Sequence, residues 1–456
     1  MTRFANAIHL LYEWTWSLPL LGLIFLVGLY LTIRTRGLPF RYLFYAHKLA
    51  FTRSDKRAAG DISHFQALMT VLAGTIGIGS ITGVATAIAI GGLGSMVWMW
   101  LAALLGMATK YGEAILAVKY RAIDSRGEMC GGPMYYLEKG LKMRWLGILF
   151  ALFGALAAFG IGNLVQSNSV ALALTAQIGL SPIWTGIVMM VCVGLALIGG
   201  IKSIGKVVAI LVPAMAAFYL LGGLFIIAIN IQAVPAAFAA MFTAAFSNSA
   251  AVGGFAGTTV MVAIQTGVSR GIFSSEAGLG SSPIASAAAK TDTPGRQALV
   301  AMCSVFITTG VVCTITGLVI ALSGIFGEPG LSEKTLDGSV LALSAFDRLL
   351  PYGGLIVTIA LFPFGYSTIL SWAYYGEKCV EYLFGVKIIA AYRVIFTLVV
   401  IPGAILSLGL VWDLANVLNG LMAVPNLIAL IGLAGVIAKE TRFFEQLLKK
   451  EKADKV

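Results

Sequence analysis

The sequence predicts an all-α polytopic membrane protein built as an inverted five-plus-five helix repeat with one extra N-terminal helix. Three observations carry that prediction. Mean hydropathy is +0.92 over 456 residues, with 11% charged side chains against 59% apolar ones, where a soluble domain carries about 25% charge. Apolar runs long enough to cross a bilayer recur along the whole chain. Two of those runs are interrupted by glycine clusters, at Gly74–Gly83 and at Gly253–Gly257.

Taken in order, the apolar runs give eleven spans at 14–33, 66–90, 94–118, 146–176, 182–200, 207–230, 250–269, 298–323, 350–374, 388–409 and 413–438. The first follows a start with few charges, Arg3 and Glu13, and lacks the basic n-region and small-residue cleavage site of a signal peptide, so it is expected to be retained. The organisation is then an extra helix over 1–33, a basic loop over 34–65, a first five-helix group over 66–230, a second over 250–438 and a basic tail over 439–456.

Charge sets the orientation. The net charge is +11, and of the 31 Lys and Arg seven fall in 34–64, six in 119–145 and six from Lys439 onward, whereas 324–349 is mixed. The positive-inside bias puts the basic loops and C-terminus in the cytoplasm and the N-terminus outside. Charge distributed in this alternating way argues against a nucleic-acid partner and for the lipid bilayer as the surroundings. Within the loops, Glu128–Met134 reads as a turn followed by a short amphipathic helix at 134–142. The tail reads as a cytosolic or surface-lying helix.

In hydrocarbon a freed backbone amide or carbonyl costs several kcal/mol unless protein, water or an ion satisfies it. The cluster Gly74, Gly77, Gly79 and Gly83 is therefore either a close-packing face or a deliberate unwinding. Thr75 and Ser80 add hydroxyls at the same depth and favour coordination by unwound backbone. Gly253-Gly254-Phe255-Ala256-Gly257-Thr258-Thr259 repeats the recipe in the seventh span. With the first span set aside, two groups of five remain, and an odd count inverts the second group. Paired interrupted helices at matching positions point to a midplane site in a secondary transporter, where half-helix amides hold a carboxylate and carbonyls hold a small cation.

Other equipment is missing. There is no P-loop, and the G-x-G spacing at Gly77 and Gly79 has its third glycine late, at Gly83, within an apolar span. His9, His47 and His64 are scattered, and the five cysteines show neither a disulfide framework nor metal spacing. No reactive constellation appears, so an enzyme is not expected. Glu276 has its next acidic neighbour at Asp292, too far along the chain to suggest a paired-carboxylate hydrolase.

Polar residues inside spans mark function or pairing. Lys110 and Glu113 lie three apart and are expected to pair along one face, or to belong to an inner gate. Asn163, Gln166, Ser167 and Asn168 gather amides in the fourth span, either joining helices or touching substrate. Ser367 and Thr368 are placed to complete a cation shell, and Trp372 to line a cavity or anchor an interface. "RGIFSSEAGLGSSP", Arg270–Pro283, reads as an ordered inner loop or short helix with Ser275 and Glu276 in gate or packing roles.

The runs "GTIGIGSITGVATAIAIGG", "MVWMWLAALLGMATKYGEAILAVKYR", "GGPMYYLEKG", "GNLVQSNSVA", "GVSRGIFSSEAGLGSSP" and "STILSWAYYGEKC" closely resemble the alanine/glycine:cation symporter family, over about residues 14 to 438. The resemblance implies the leucine-transporter-like fold, uptake of alanine or glycine with sodium as the coupling ion, no other cofactor, and residence in a bacterial inner membrane. It assigns Gly74, Thr75 and Gly77 to the substrate carboxylate, with Gln166, Thr258 and Trp372 around the amino acid. It assigns the carbonyls of Ala73 and Ile76, with Ser367 and Thr368, to the cation. Ser80 and Ser275 depart from the family pattern, each standing where an Asn is usual; serine keeps an oxygen and loses the amide donor. Alternatives to sodium-coupled uptake are a proton-coupled or uncoupled carrier, and a channel or transporter-like receptor.

Overall fold

A computed structural model describes residues 10–11, 15–52, 58–246, 260–325, 338–406 and 408–454. It is helical throughout apart from a two-residue antiparallel pair, β1 (Ala122–Ile123) and β2 (Met129–Cys130). Seven described segments are long and apolar enough to cross a membrane: Ser95–Lys119, Arg144–Ile178, Gly200–Ile229, Pro294–Ser323, Gly354–Phe384, Val386–Ile405 and Ala415–Gly432. Shorter apolar helices occupy Pro19–Arg34, Thr82–Gly91, Pro182–Leu197 and Ile231–Phe246.

The elements that build the site are α1 (Leu18–Arg34), the half-helices α2 (His64–Thr75) and α3 (Thr82–Gly91), and α4 (Ser95–Lys119). α5 (Arg144–Phe159) and α6 (Val165–Ile178) follow, joined through a π turn at Gly160–Leu164, then α7 (Gly200–Ile229). α8 (Val260–Ser275) and the short α9 (Pro283–Ala287) come next. α10 (Pro294–Val305) and α11 (Thr314–Ser323) are continuous through a π segment at Phe306–Cys313. α12 (Gly354–Phe384), α13 (Ile389–Leu398), α14 (Val400–Ile405), α15 (Leu408–Gly432) and α16 (Ala434–Ala453) complete the set.

Local sequence explains the first half-helix. Ser63 Oγ accepts from Gln66 N at 3.1 Å while Gln66 Oε1 accepts from Ser63 N at 3.0 Å, a reciprocal cap that starts α2. α2 is buried against α7, α12 and α10, so its polar groups must be satisfied by protein or ligand.

Small residues let α8 and α4 meet closely. Gly267 and Gly271 lie one turn apart on α8, and a Cβ at Gly271 would stand 3.3 Å from Met99 Cα. α4 packs most extensively on α8 and α10, and α12 on α5. The π segment Phe306–Cys313 lies beside the interrupted helix, with Thr308 meeting Thr75, and the π turn Gly160–Leu164 packs on α12; such bulges mark functional sites often.

The loops rich in Lys and Arg gather at one end of the bundle, here called the basic end. The helix expected at 134–142 spans Pro133–Lys139. The last expected span, 413–438, ends earlier, at Gly432, and α16 begins at Ala434. α16 is not a free tail: Phe444 and Leu448 are buried, and Glu440, Glu445 and Glu451 pair with Lys119, Arg41 and Arg296 at 2.5, 3.1 and 2.5 Å. Arg121 ties the same end together through the carbonyls of Ala287, Ala289 and Ala59 at 3.1, 2.9 and 3.0 Å.

Candidate functional site

α2 unwinds at the predicted glycine cluster. Ile76 leaves the helix with φ −81° and ψ 69°, Gly77 is extended, and a single 3-10 turn over Ile78–Ser80 leads into α3. The side-chain hydroxyls here are already engaged. Thr75 Oγ1 donates to Val71 O at 3.1 Å and meets Thr308 Oγ1 at 3.0 Å. Ser80 Oγ donates to Thr75 O at 3.2 Å, lies 3.3 Å from Ser274 Oγ, and Ser80 O accepts from Thr316 at 2.9 Å.

The backbone amides are not engaged. Gly77, Ile78 and Gly79 are buried, and among the described residues none of their amides donates to a backbone or side-chain acceptor. Buried orphan amides are rare, and successive amides at a broken helix form a ready anion site.

Opposite them stands Gln166. Its Nε2 donates to Ile161 O at 2.9 Å, while Oε1, fully buried, has no partner among the described residues and lies 3.5 Å from where a Cβ at Gly77 would be. An acceptor thus stands beside unengaged donors. The neighbouring amides share the pattern, with Asn163 and Asn168 donating to Phe396 O at 2.6 Å and to Gly403 O and Leu406 O at 3.0 and 2.7 Å and each leaving its Oδ1 without a partner among the described residues; what sets Gln166 apart is its approach to Gly77.

Thr368 joins α12 to the break. Its hydroxyl lies 2.9 Å from both Ala73 O and Phe364 O of its own helix, and packs on Gly77 so closely that an added Cβ there would displace it. Ser367, the other hydroxyl expected in the cation shell, donates instead to Phe364 O at 3.0 Å and approaches Met215 of α7 at 3.6 Å. The residue that extends the α12–α2 seam is Ser371, which donates to Thr70 O at 2.7 Å. It lies three residues after Thr368, on the same helical face, a signal the sequence did contain. Trp372 is buried at 1% exposure and packs over Gly162 of the π turn and edge-on to Tyr375. It belongs to the core and is no interface anchor.

Gly253–Gly257 and Thr258 lie outside the described residues. α8 runs unbroken to Ser275, and the interruption seen among the described residues falls at 276–282, in the run expected to be an inner loop. Glu276 sits there in the left-handed region with φ 55°, followed by Gly278 and Gly280 at φ 89° and 82°. Here two of the freed amides, those of Gly278 and Gly280, are filled. Glu113 Oε1 accepts from Gly278 N at 3.0 Å, Gly280 N at 3.1 Å and Asn426 Nδ2 at 2.7 Å. Asn426 also donates to Gly278 O at 2.9 Å and accepts from Tyr136.

Glu113 therefore does not pair with Lys110. The Lys110 ammonium donates to Ser275 O at 2.8 Å, and no ion pair within 4.0 Å links it to either carboxylate. The i,i+3 spacing brings the two close, but the broken backbone of 276–282 supplies better-placed partners to each. Ser275 contributes this carbonyl and a weak 3.4 Å contact from its Oγ to Ala277 N.

At the basic end a second polar cluster closes α12 onto the β1–β2 loop. Lys378, 1% exposed, lies 2.9 Å from Glu381, 3.5 Å from Cys130 Sγ, 3.7 Å from Asp124 and 3.6 Å from Glu128. Asp124, Cys130 and Glu381 have metal-like spacing, their donor atoms within 4.8 Å of one another, but the lysine ammonium already stands at that point. Burial pushes the Cys130 thiol up to about 12, so it donates to Glu381 Oε1 at 3.1 Å. Burial opposes the charged form of Asp124, yet the amides of Glu128 and Arg126, and then Lys378, hold its carboxyl below the usual value.

The profile of the sodium:alanine symporter family matches residues 1–456. The chain belongs to that family. It is 53% identical, over 98% of its length and 99% of the relative's, to a sodium/alanine symporter, AgcS, of Methanococcus maripaludis. It is 48% identical to an uncharacterized transporter of Haemophilus influenzae, over 95% and 94% of the two chains. Its fold is shared with the crystal structure of MhsT in complex with L-phenylalanine, at TM-score 0.58 and 14% identity, covering 84% of this chain and 98% of that one. The protein is thus a polytopic membrane transporter of the sodium:alanine symporter family, a secondary transporter of small amino acids and not an enzyme.

Proposed function

We propose that the protein imports alanine or glycine together with sodium by alternating access. The observation that carries the reading is the trio of unfilled buried amides at Gly77, Ile78 and Gly79 facing the unfilled Gln166 oxygen. The substrate carboxylate takes the amides, with Gly74 and Thr75 shaping the turn; its ammonium takes Gln166 Oε1. Trp372 borders the side-chain space, which suits a small residue; Thr258, assigned to the same pocket by the family resemblance, lies outside the described residues.

Sodium binds where the carbonyls of Ala73 and Ile76 meet Thr368, with Ser367 in the shell if its hydroxyl turns from Phe364. Neutral oxygens at a seam between α2 and α12 hold a hard monovalent ion without a buried titratable group. Bound cation locks α2 to α12 and thereby shapes the amide nest, so each ligand strengthens the other.

In this reading the chain has eleven spans: an extra helix over 1–33, then inverted five-helix repeats over 66–230 and 250–438. The loop 34–65 and the tail 439–456 are cytoplasmic and the N-terminus is outside, in a bacterial inner membrane. The fold shared with MhsT and the basic clustering at one end support this arrangement. Lys110, Glu113, Ser80, Ser275 and Glu276 frame the two breaks as packing and gating residues.

Labelled alanine or glycine should accumulate in proteoliposomes under an inward sodium gradient. Uptake driven equally by a proton gradient in the absence of sodium would assign a proton-coupled carrier. Equilibration without accumulation would assign a channel or uncoupled carrier.

A further inference from the structure

Glu276 carries an obligation that none of its neighbours meets. Its Oε2 accepts from Ser281 Oγ at 2.8 Å and the Trp372 indole approaches the carboxyl, but Oε1 has no hydrogen-bond partner among the described residues, at 1% residue exposure. The Tyr375 hydroxyl, equally buried, also lacks a partner. Both oxygens converge on one place: each lies 3.2 Å from the point where a Cβ at Gly74 would stand. Glycine leaves that point empty of side chain, directly beneath the interrupted α2 helix and one turn nearer the basic end than Thr368 and Gly77.

The charges around it are uneven. Lys110 faces both Glu276 and Glu113, so one ammonium is set against two carboxylates. Inside a membrane protein an uncompensated carboxylate is costly unless a cation joins it. The left-handed φ of Glu276 is a backbone conformation that non-glycine residues adopt at some cost, and here it aims the carboxylate at the break.

We infer that Glu276 Oε1 and the Tyr375 hydroxyl, at the gap left by Gly74, form a second subsite for a small alkali cation on the basic-end side of the interrupted helix. A carboxylate and a phenol offer hard oxygens to sodium, and the cation supplies the missing positive charge. The subsite is distinct from the Thr368–Ala73 seam: it uses neither residue. It rests on the transport reading for its role, which is to receive sodium on its way out of the seam or to hold a second coupling ion.

The test is sodium binding to the purified full chain in detergent, without amino acid and without a gradient, by radiolabelled sodium and by sodium-dependent thermal stabilisation. Thr368→Val should lose one sodium equivalent and keep another. Glu276→Gln should lose one equivalent and weaken the sodium midpoint about tenfold or more, the scale of a lost charged contact. Tyr375→Phe, which keeps the charge, should weaken it a few-fold, and serves if Glu276→Gln does not fold. The inference is overturned if folded Glu276→Gln, or Tyr375→Phe, binds sodium like the wild type. It is also overturned if Glu276→Gln changes only the pH dependence, which would make the missing charge a proton. Failure of the transport reading shows separately, as wild-type proteoliposomes that accumulate no alanine or glycine.

Discussion

Glu113→Gln tests how the second helix break is held. The carboxylate oxygen accepts three hydrogen bonds, from Gly278 N, Gly280 N and Asn426 Nδ2 at 3.0, 3.1 and 2.7 Å. A bond to a charged acceptor is worth about 1.5–3 kcal/mol and a neutral one about 0.5–1.5, so making all three neutral loses roughly 3 kcal/mol. The new amide also directs donors toward Lys110, which has nothing to accept them. Relief of the buried charge returns part of this, leaving a destabilisation of about 2–3 kcal/mol. At roughly 2 °C per kcal/mol, the low end for large domains, the melting temperature should fall by about 5 °C. Glu113→Ala orphans three buried donors at about 1–3 kcal/mol each, enough to prevent folding. Thermal unfolding followed by fluorescence-detected size exclusion reads both variants. A Glu113→Gln protein melting with the wild type, or a stable Glu113→Ala, would refute the account of the break as capped by this carboxylate.

Gly77→Ala should abolish uptake while leaving the bundle folded, because the added Cβ meets the Thr368 hydroxyl; transport in proteoliposomes against melting temperature separates the two effects. Gln166→Leu removes the unpartnered amide oxygen beside the nest and should weaken alanine binding about 10- to 100-fold, with sodium binding in the absence of amino acid unchanged; equal alanine affinity would remove Gln166 from the site. Asp124→Asn addresses pH. The folded carboxyl of Asp124 is held below its usual value, so its stabilising contribution is complete above the ordinary carboxylate range and is lost as pH falls through the depressed folded value. Wild-type melting should therefore decline more steeply than that of Asp124→Asn on acidification from neutral pH, and parallel curves would speak against it.

Where the sequence spoke clearly, the signal was local. Glycines inside an apolar run announce the unwinding at 76–81 because a freed backbone in hydrocarbon needs a reason within a few residues. The seam from Thr368 to Ser371 and Tyr375 was also legible, as polar residues three and four apart on one helix face, although only Thr368 stood out beside its neighbour Ser367. Long-range choices were not legible. Lys110 and Glu113 look like an i,i+3 pair, and what separates them is a backbone some 165 positions away offering carbonyl and amide partners. The break at 276–282 was hidden for the same reason: its run reads as an ordinary small-residue turn until Glu113 and Asn426 are placed against it. Ser367 is held by both, its hydroxyl donating to Phe364 O one turn back on its own helix and approaching Met215 of α7.

The two breaks differ in a way that bears on coupling. At 276–282 the amides of Gly278 and Gly280 are satisfied by a resident carboxylate, so that part of the hinge has the same partners whether or not cargo is bound. At 77–79 the amides have no resident acceptor, so the energy of closing around them depends on what arrives. A protein that filled both breaks internally would have no reason to respond to substrate, and one that left both open would carry too many orphan groups to remain folded in a bilayer. On the proposed reading, a cation that tightens the α2–α12 seam at Thr368 sets the geometry of the unfilled nest. The binding energy of carboxylate and cation is then shared through Ala73–Gly77, a stretch of five residues. A ligand can shift a conformational equilibrium only by its differential affinity for the two states. The unfilled amides are where that difference arises, because they are the groups whose satisfaction changes on binding.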